Sequence, residues 1–197
     1  MSYDPKTFQF YADNAQEYAS RRTKPSKTLT SFLEALPNAG RVLELGCGAG
    51  LEAQHMQSQG LDVTATEGNP ELAKFAIERL GDRVKIMRFD ELSDIGLYDG
   101  IWANMCLLHA PWDELDLIIK KIHTALKPGG LLMASFKSGE GAGRDKLDRY
   151  YNLPTKKMLN DKFSGAAAWQ RCEVIEKPGG IGHDGTLYEV LFVIANR

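Results

Sequence analysis

The 197-residue chain lacks a surplus of either charge: 24 Lys and Arg stand against 26 Asp and Glu, a formal net charge of −2. Without a basic field there is no general attraction for a phosphate backbone, so nucleic acid is not an expected partner. A cysteine framework is also missing. Cys47, Cys106 and Cys172 are odd in number, far apart and in no C-x-x-C pair, which argues against disulfides and against a structural zinc site. The opening "MSYDPKTFQFYADN" has no apolar run of signal-peptide or membrane-span length, which predicts a cytoplasmic protein with no membrane partner. No low-complexity tract or internal repeat is visible.

What is there reads as one domain. With 43% hydrophobic and 25% charged residues the composition is that of a globular protein, and residues 1–197 suit a single core. Apolar, β-branched runs alternate with segments of helical period: "RVLELG", "LEAQHMQSQG", "DVTATEG", "NPELAKFAIERLG" and "VKIMRFD". Strand, helix, strand, helix, strand is the pattern of a parallel sheet with helices on its faces, an α/β fold. Asn69 suits the cap of the second helix, Pro70 its first position and Gly81 its end. "YDGIWANMCLL" reads as a fourth strand, "PWDELDLIIKKIHTALKPGG" as a helix closed by Pro-Gly-Gly, and "LLMASFK" as a fifth strand.

The rhythm breaks near residue 137. A glycine-rich, charged stretch, "SGEGAGRDKLDRYYNLP", precedes a helix near 155–166 and strands near 171–177 and 186–195. The turn-rich "PGGIGHDG" between those strands suits an antiparallel pair. Residues 1–30 carry Phe8, Tyr11, Ala15 and Tyr18 at loosely helical spacing and are expected to cap the open end of the sheet.

In open α/β sheets, ligands bind beyond the carboxyl ends of the strands. Gly46, Gly48 and Gly50 of "RVLELGCGAG" sit at that place, where glycine lets backbone approach a ligand closely. Such a turn alone is a weak signal, because glycine after a strand is often plain turn chemistry. Its context adds weight: a strand before, a helix after, and Glu67 at the end of the next strand, where a carboxylate's two oxygens suit both hydroxyls of a ribose. The dinucleotide pattern G-x-G-x-x-G would need glycine at Leu51, which counts against a nicotinamide cofactor. Glu44, inside the first strand, is costly to bury unpaired, and a ligand with a positive amino group nearby would offset that cost.

"VLELGCGAG", Glu67, "RFD" at 88–90, "YDGIWANMCLLH" at 98–109 and "LKPGGLLMASFK" at 126–137 together resemble the class I S-adenosylmethionine-dependent methyltransferases, of the small-molecule type. The motifs cover roughly residues 40–137 in that family's order, and "FYADNAQEYA" resembles the opening of its small-molecule members. The resemblance implies a Rossmann-like, doubly wound sheet, mostly parallel and seven-stranded, with an antiparallel last strand. It implies that Gly46, Gly48 and Gly50 line the methionine part of S-adenosylmethionine, that Glu44 anchors its amino group, and that Glu67 holds the ribose. Asp90 would accept from the adenine amino group, with Phe89 and Leu92 beside the ring, and Asn104 would offer its backbone carbonyl to the methionine amino group.

A sulfonium makes its methyl group electrophilic without help, so a catalytic base is optional and no metal is expected. His109, after the fourth strand, is placed either to take a proton from an acceptor hydroxyl or simply by the turn it occupies. No Asn-Pro-Pro-Tyr-like sequence and no Pro-Cys setting around Cys106 points to a nucleobase acceptor. The resemblance places substrate contacts on the N-terminal cap, with Tyr11, Tyr18 and Arg22, and on the insertion at 138–154, with Arg149 and Tyr150. The expected acceptor is a small molecule under a lid made by these two segments, whose arginines could clamp a carboxylate or phosphate. Two alternatives remain: a nicotinamide-dependent oxidoreductase, and a non-catalytic protein that binds S-adenosylmethionine.

Overall fold

A computed structural model describes residues 3–197; the first two residues of the expected cap lie outside the described residues. Five parallel strands, β1 (Arg41–Leu45), β2 (Asp62–Glu67), β3 (Val84–Ile86), β4 (Tyr98–Ala103) and β5 (Leu126–Lys137), form most of one sheet. β8 (Arg171–Ile181) and β9 (Leu187–Asn196) complete it in the order β3-β2-β1-β4-β5-β9-β8, with β9 antiparallel to both neighbours. This is the seven-stranded, doubly wound α/β sheet with an antiparallel last strand that the motifs imply.

Alternation along the strands sorts the core into two layers. Val42 and Trp102 pack with α3 (Leu29–Glu34), α4 (Leu51–Ser58) and α5 (Pro70–Leu80), whereas Leu43, Leu45, Ile101 and Ala103 pack with α6 (Leu115–Ala125) and α7 (Lys156–Ala166). Helix α6 shows why: Leu115, Ile118, Ile119, Ile122 and Ala125 recur at helical spacing and are all buried. α5 begins as expected, with Pro70 in its first turn and the Asn69 Oδ1 accepting from the N–H groups of Glu71 and Leu72 at 3.0 and 3.2 Å. By the same alternation Glu44, between Leu43 and Leu45 and level with Trp102, turns its side chain towards α4.

The structure departs from the sequence reading in four places. Pro128-Gly129-Gly130 does not close a helix: α6 ends at Ala125 and these residues belong to β5, whose pairing with β4 shifts register between Tyr98 and Gly100. The N-terminal segment is two helices, α1 (Pro5–Asp13) and α2 (Ala15–Arg21), broken at Asn14, followed by the unforeseen α3. The insertion after β5 is ordered as a two-stranded hairpin, β6 (Gly141–Arg144) and β7 (Tyr150–Leu153). β4 stops at Ala103, because Met105 adopts a left-handed conformation (φ 54°) and a 3₁₀ turn follows at 107–109.

α3 is held by Phe32, which is fully buried with its ring 5.2 Å from that of Trp102; Gly100 leaves the space it occupies on β4. Phe32→Ala should lower unfolding free energy by about 3–5 kcal/mol, read as a reduced urea midpoint. A change under about 1 kcal/mol would mean that α3 is not part of the cooperative core.

Candidate active site

The strand order reverses between β1 and β4, and the crevice beyond their carboxyl ends is the place where doubly wound sheets hold ligands. A cavity opens there, floored by Glu44, the Gly46–Ala49 turn, Glu67 and the Asn104–Cys106 loop, and roofed by α1 and α2 through Thr7, Phe8, Tyr11 and Tyr18. Four acids line it: Asp4 caps α1 on the roof, and the three at the sheet end each meet a different fate.

Glu67 is held by backbone: Gly48 N–H donates to Oε2 and Asn69 N–H to Oε1, both at 2.9 Å. Burial pushes its carboxyl up, and these N–H groups pull the other way. Glu52, in the first turn of α4, gathers four donors: Arg22 Nη2 at 2.8 Å, Ser26 N–H at 3.0 Å, Trp102 Nε1 at 2.5 Å and the Asn104 amide at 3.2 Å. Glu44 is the exception. Its Oε2 is buried without any partner, and burial, then the charge of Glu52, pushes its carboxyl well above the usual range.

All three glycines of the turn are left-handed, with φ of 63°, 55° and 77° at Gly46, Gly48 and Gly50. Clearance for a ligand explains only one of them. A Cβ on Gly46 would stand 2.5 Å from the Cys106 Cβ and one on Gly50 would meet Leu80 at 2.8 Å, so those two glycines admit protein. Gly48 alone faces open space, with Tyr18 across it at 3.9 Å. Cys47 and Cys106 are free and buried, and burial beside Glu44 and Glu67 pushes both thiols well up. Such thiols are inert.

At the roof end, His109 Nδ1 lies 2.7 Å from the Tyr150 carbonyl, which can only accept, so the ring proton sits on Nδ1. Nε2 then accepts from the Tyr11 hydroxyl at 2.9 Å, and that hydroxyl accepts in turn from Arg149 Nη1 at 3.3 Å. Burial, with the Arg149 charge adding, pushes the imidazole down to about 4. His109 is a neutral base in the physiological range.

The sequence-predicted residues separate into those on the cavity wall and those off it. Glu44, Gly46, Gly48, Glu67, Phe89, Asn104, His109, Tyr11, Tyr18 and Arg22 line it; Gly50, Asp90, Leu92, Arg149 and Tyr150 do not. Leu92 is fully buried in the α6 layer, and Asp90 lies 3.3 Å from Arg88 Nε, leaving Arg88 on the wall instead. Arg149 is no free clamp: it is 2% exposed and donates to Asp145 Oδ2 through Nε at 2.9 Å and Nη2 at 2.6 Å. Tyr150 contributes its backbone carbonyl, while its hydroxyl donates to Asn152. Arg22, expected beside the acceptor, sits at the Glu44–Glu52 end.

The family model of a methyltransferase domain matches residues 15–156, from the roof through the whole cavity floor to the hairpin. The chain belongs to this methyltransferase domain family. Among its relatives, a ubiquinone biosynthesis O-methyltransferase of Xanthomonas campestris is 39% identical over 108 residues, covering 51% of this chain and 44% of the relative. A trans-aconitate 2-methyltransferase of Variovorax paradoxus is 32% identical over 126 residues, covering 59% and 46%. This methyltransferase domain therefore spans less than half the length of those two proteins. In fold it is similar to a Burkholderia thailandensis 1,6-didemethyltoxoflavin-N1-methyltransferase, solved with its acceptor and S-adenosylhomocysteine bound, at a TM-score of 0.73 and 22% identity over 97% of this chain and 87% of that one. No helix among the described residues is long and apolar enough to cross a membrane.

Sequence reasoning missed Glu52. Its signal was indirect: the Trp102 indole N–H, in a strand that reads as buried, needs an acceptor, but nothing local points to α4 as the source.

Because folding raises the Glu44 carboxyl, the folded state keeps a proton that the unfolded chain loses. The associated stability is present below the ordinary carboxylate value and disappears as pH rises through the raised one. From about pH 5 upward the urea midpoint of the wild type should therefore decline relative to Glu44→Gln. Parallel curves for the two proteins would mean that Glu44 is ionised in the empty site.

Proposed function

We propose that this chain transfers a methyl group from S-adenosylmethionine to an oxygen or nitrogen of a small acceptor, without a metal. The observation that carries this reading is the unpartnered, buried Glu44 oxygen on the wall of a cavity that also presents Glu67. An ammonium group placed against Glu44 gives that oxygen its missing partner. Each oxygen of Glu67 accepts one N–H and keeps a lone pair for a ribose hydroxyl.

The remaining cofactor contacts follow from the same orientation. Arg22, beside Glu44 and Glu52, meets the carboxylate of the amino-acid end rather than the acceptor. The Asn104 carbonyl is offered to the amino group, Gly46 and Gly48 pass along the methionine chain, and Phe89 flanks the base with Asp90 accepting from its amino group through a small shift from Arg88. When bound, S-adenosylmethionine supplies a methyl group already activated by its sulfonium.

What the protein adds is position and a proton sink. The Tyr11 and Tyr18 rings, 5.0 Å apart and edge to face, wall off the roof end and exclude water from it. His109 Nε2 takes the proton of an acceptor hydroxyl, directly or across Tyr11, while the Tyr150 carbonyl keeps the tautomer correct. Oxygen as the accepting atom is supported by the name of one sequence relative, the ubiquinone biosynthesis O-methyltransferase. Three free cysteines suit a reducing, cytoplasmic setting.

Calorimetric titration should give saturable binding of S-adenosylhomocysteine and none of NAD, with affinity reduced at least tenfold, about 1.4 kcal/mol, in Glu67→Ala. NAD binding would restore the oxidoreductase alternative. With a turned-over acceptor, His109→Asn should lower kcat roughly 100-fold without changing S-adenosylhomocysteine affinity. In the wild type the rate should fall as pH drops through about 4, not near the ordinary histidine value. Binding without turnover of any acceptor would favour a cofactor-binding protein that is not an enzyme.

A further inference from the structure

Beyond Tyr11 and His109 lies a group of cations that the reaction does not use. Lys137, the last residue of β5, holds its ammonium 4.2 Å from the ring centre of Tyr151 and 4.8 Å from that of Tyr188. Among the described residues it makes no hydrogen bond and no ion pair. The nearby acids are engaged elsewhere: Asp145 with Arg149, and Asp184 with the N–H and hydroxyl of Thr186. Arg149 adds a second positive charge, its guanidinium 5.3 Å from the same Tyr151 ring. The turn between β8 and β9 closes over the ammonium so tightly that a Cβ on Gly182 would come within 3.2 Å of it. Next in that turn, His183 has a buried Nδ1 without a partner, and its ring lies 6.3 Å from that of Tyr18 on the cavity roof.

Aromatic faces recover only part of what a half-buried ammonium loses on leaving water. Lys137 and Arg149 face two acids, Asp145 and Asp184, whose oxygens are taken by Arg149 and Thr186, so no acid is bonded to the ammonium. It adjoins the reaction end of the cavity through one side chain, since the Tyr151 ring also packs 4.5 Å from the His109 ring. Burial, and then the Arg149 charge, pull the Lys137 amine below its ordinary value against the opposite pull of Asp184 and Asp145, as expected of an ammonium to which no acid is bonded directly.

We propose that Lys137, backed by Arg149, is the anion-recognition subsite of the acceptor, and that the acceptor is a small carboxylate or phosphate monoester. Its anionic group lies on the side of Lys137 that the β8–β9 turn leaves uncovered, and its nucleophilic atom lies at His109. This rests on the methyltransferase reading for the identity of the ligand, but not for the charge it must carry.

The test titrates benzoate, phenyl phosphate and neutral benzamide into the full chain, with and without saturating S-adenosylhomocysteine, for the wild type, Lys137→Met and Lys137→Arg. At least one anion should bind saturably and ten or more times better than benzamide. Lys137→Met should erase that preference, Lys137→Arg should keep it within about threefold, and S-adenosylhomocysteine affinity should stay unchanged in both. Whichever anion binds better identifies the acceptor as carboxylate or phosphate. Anions that bind no better than benzamide, or equally well to Lys137→Met, would overturn the proposal. Loss of S-adenosylhomocysteine binding by the wild type would instead overturn the cofactor reading, and the titrations without it would still decide the subsite.

Discussion

Removing a carboxylate from water costs several kcal/mol unless donors replace the solvent, and this chain does it three times at one end of one sheet. The architecture around the cavity is the answer to that cost. Glu52 recruits donors from three separate places: Arg22 and Ser26 from the chain between α2 and α3, Trp102 from β4 and Asn104 from the loop beyond it. Those bonds seat the roof helices and the β4 loop on α4, and so set the height of the cavity. Glu67, answered by the N–H groups of Gly48 and Asn69, shapes the glycine turn and the start of α5. Only Glu44 is answered in part: the Ala53 N–H reaches its carboxyl, and its Oε2 faces the cavity side without a partner.

The roof has a logic of its own. Asp4 caps α1 through the Thr7 N–H and also receives Arg144 from the hairpin; the Thr7 hydroxyl accepts from the Tyr150 N–H, and Lys6 reaches Asp148. The exposed Lys6–Asp148 pair contributes little in water. The buried contacts matter more, because the backbone N–H of Tyr150 and the guanidinium of Arg149 have no solvent to fall back on. Cap and insertion thus meet in one network, and His109 hangs from it through Tyr11 and the Tyr150 carbonyl.

The sheet was legible because strand and helix periods differ and because capping at Asn69 and Pro70 is local chemistry. The cavity wall was legible in Glu44, Gly48 and Glu67, whose positions depend on place along the chain. Residues whose roles depend on distant partners were not. Arg149 reads as a free clamp for an anion until Asp145 and Tyr11 fold around it, and Glu52 reads as an ordinary first-turn acid. Pro128-Gly129-Gly130 read as a helix stop, yet the stop came earlier, where Leu126 turned to pair with Tyr98 on β4. The hairpin at 141–153 eluded a pattern reading because a short, glycine-rich pair shows no alternation.

The contacts between cap and hairpin join residues about 140 positions apart, such as Asp4 with Arg144. The sheet bonds beneath them are densely cooperative, whereas these few bonds alone restrain the first helix against the hairpin. Closing so long a loop carries an entropy that must be recovered by a handful of interactions. A local opening that released these contacts would free the roof and leave the sheet bonds intact. Such an opening would need no hinge in the core, because the seam joins α1 to the hairpin and lies off the sheet.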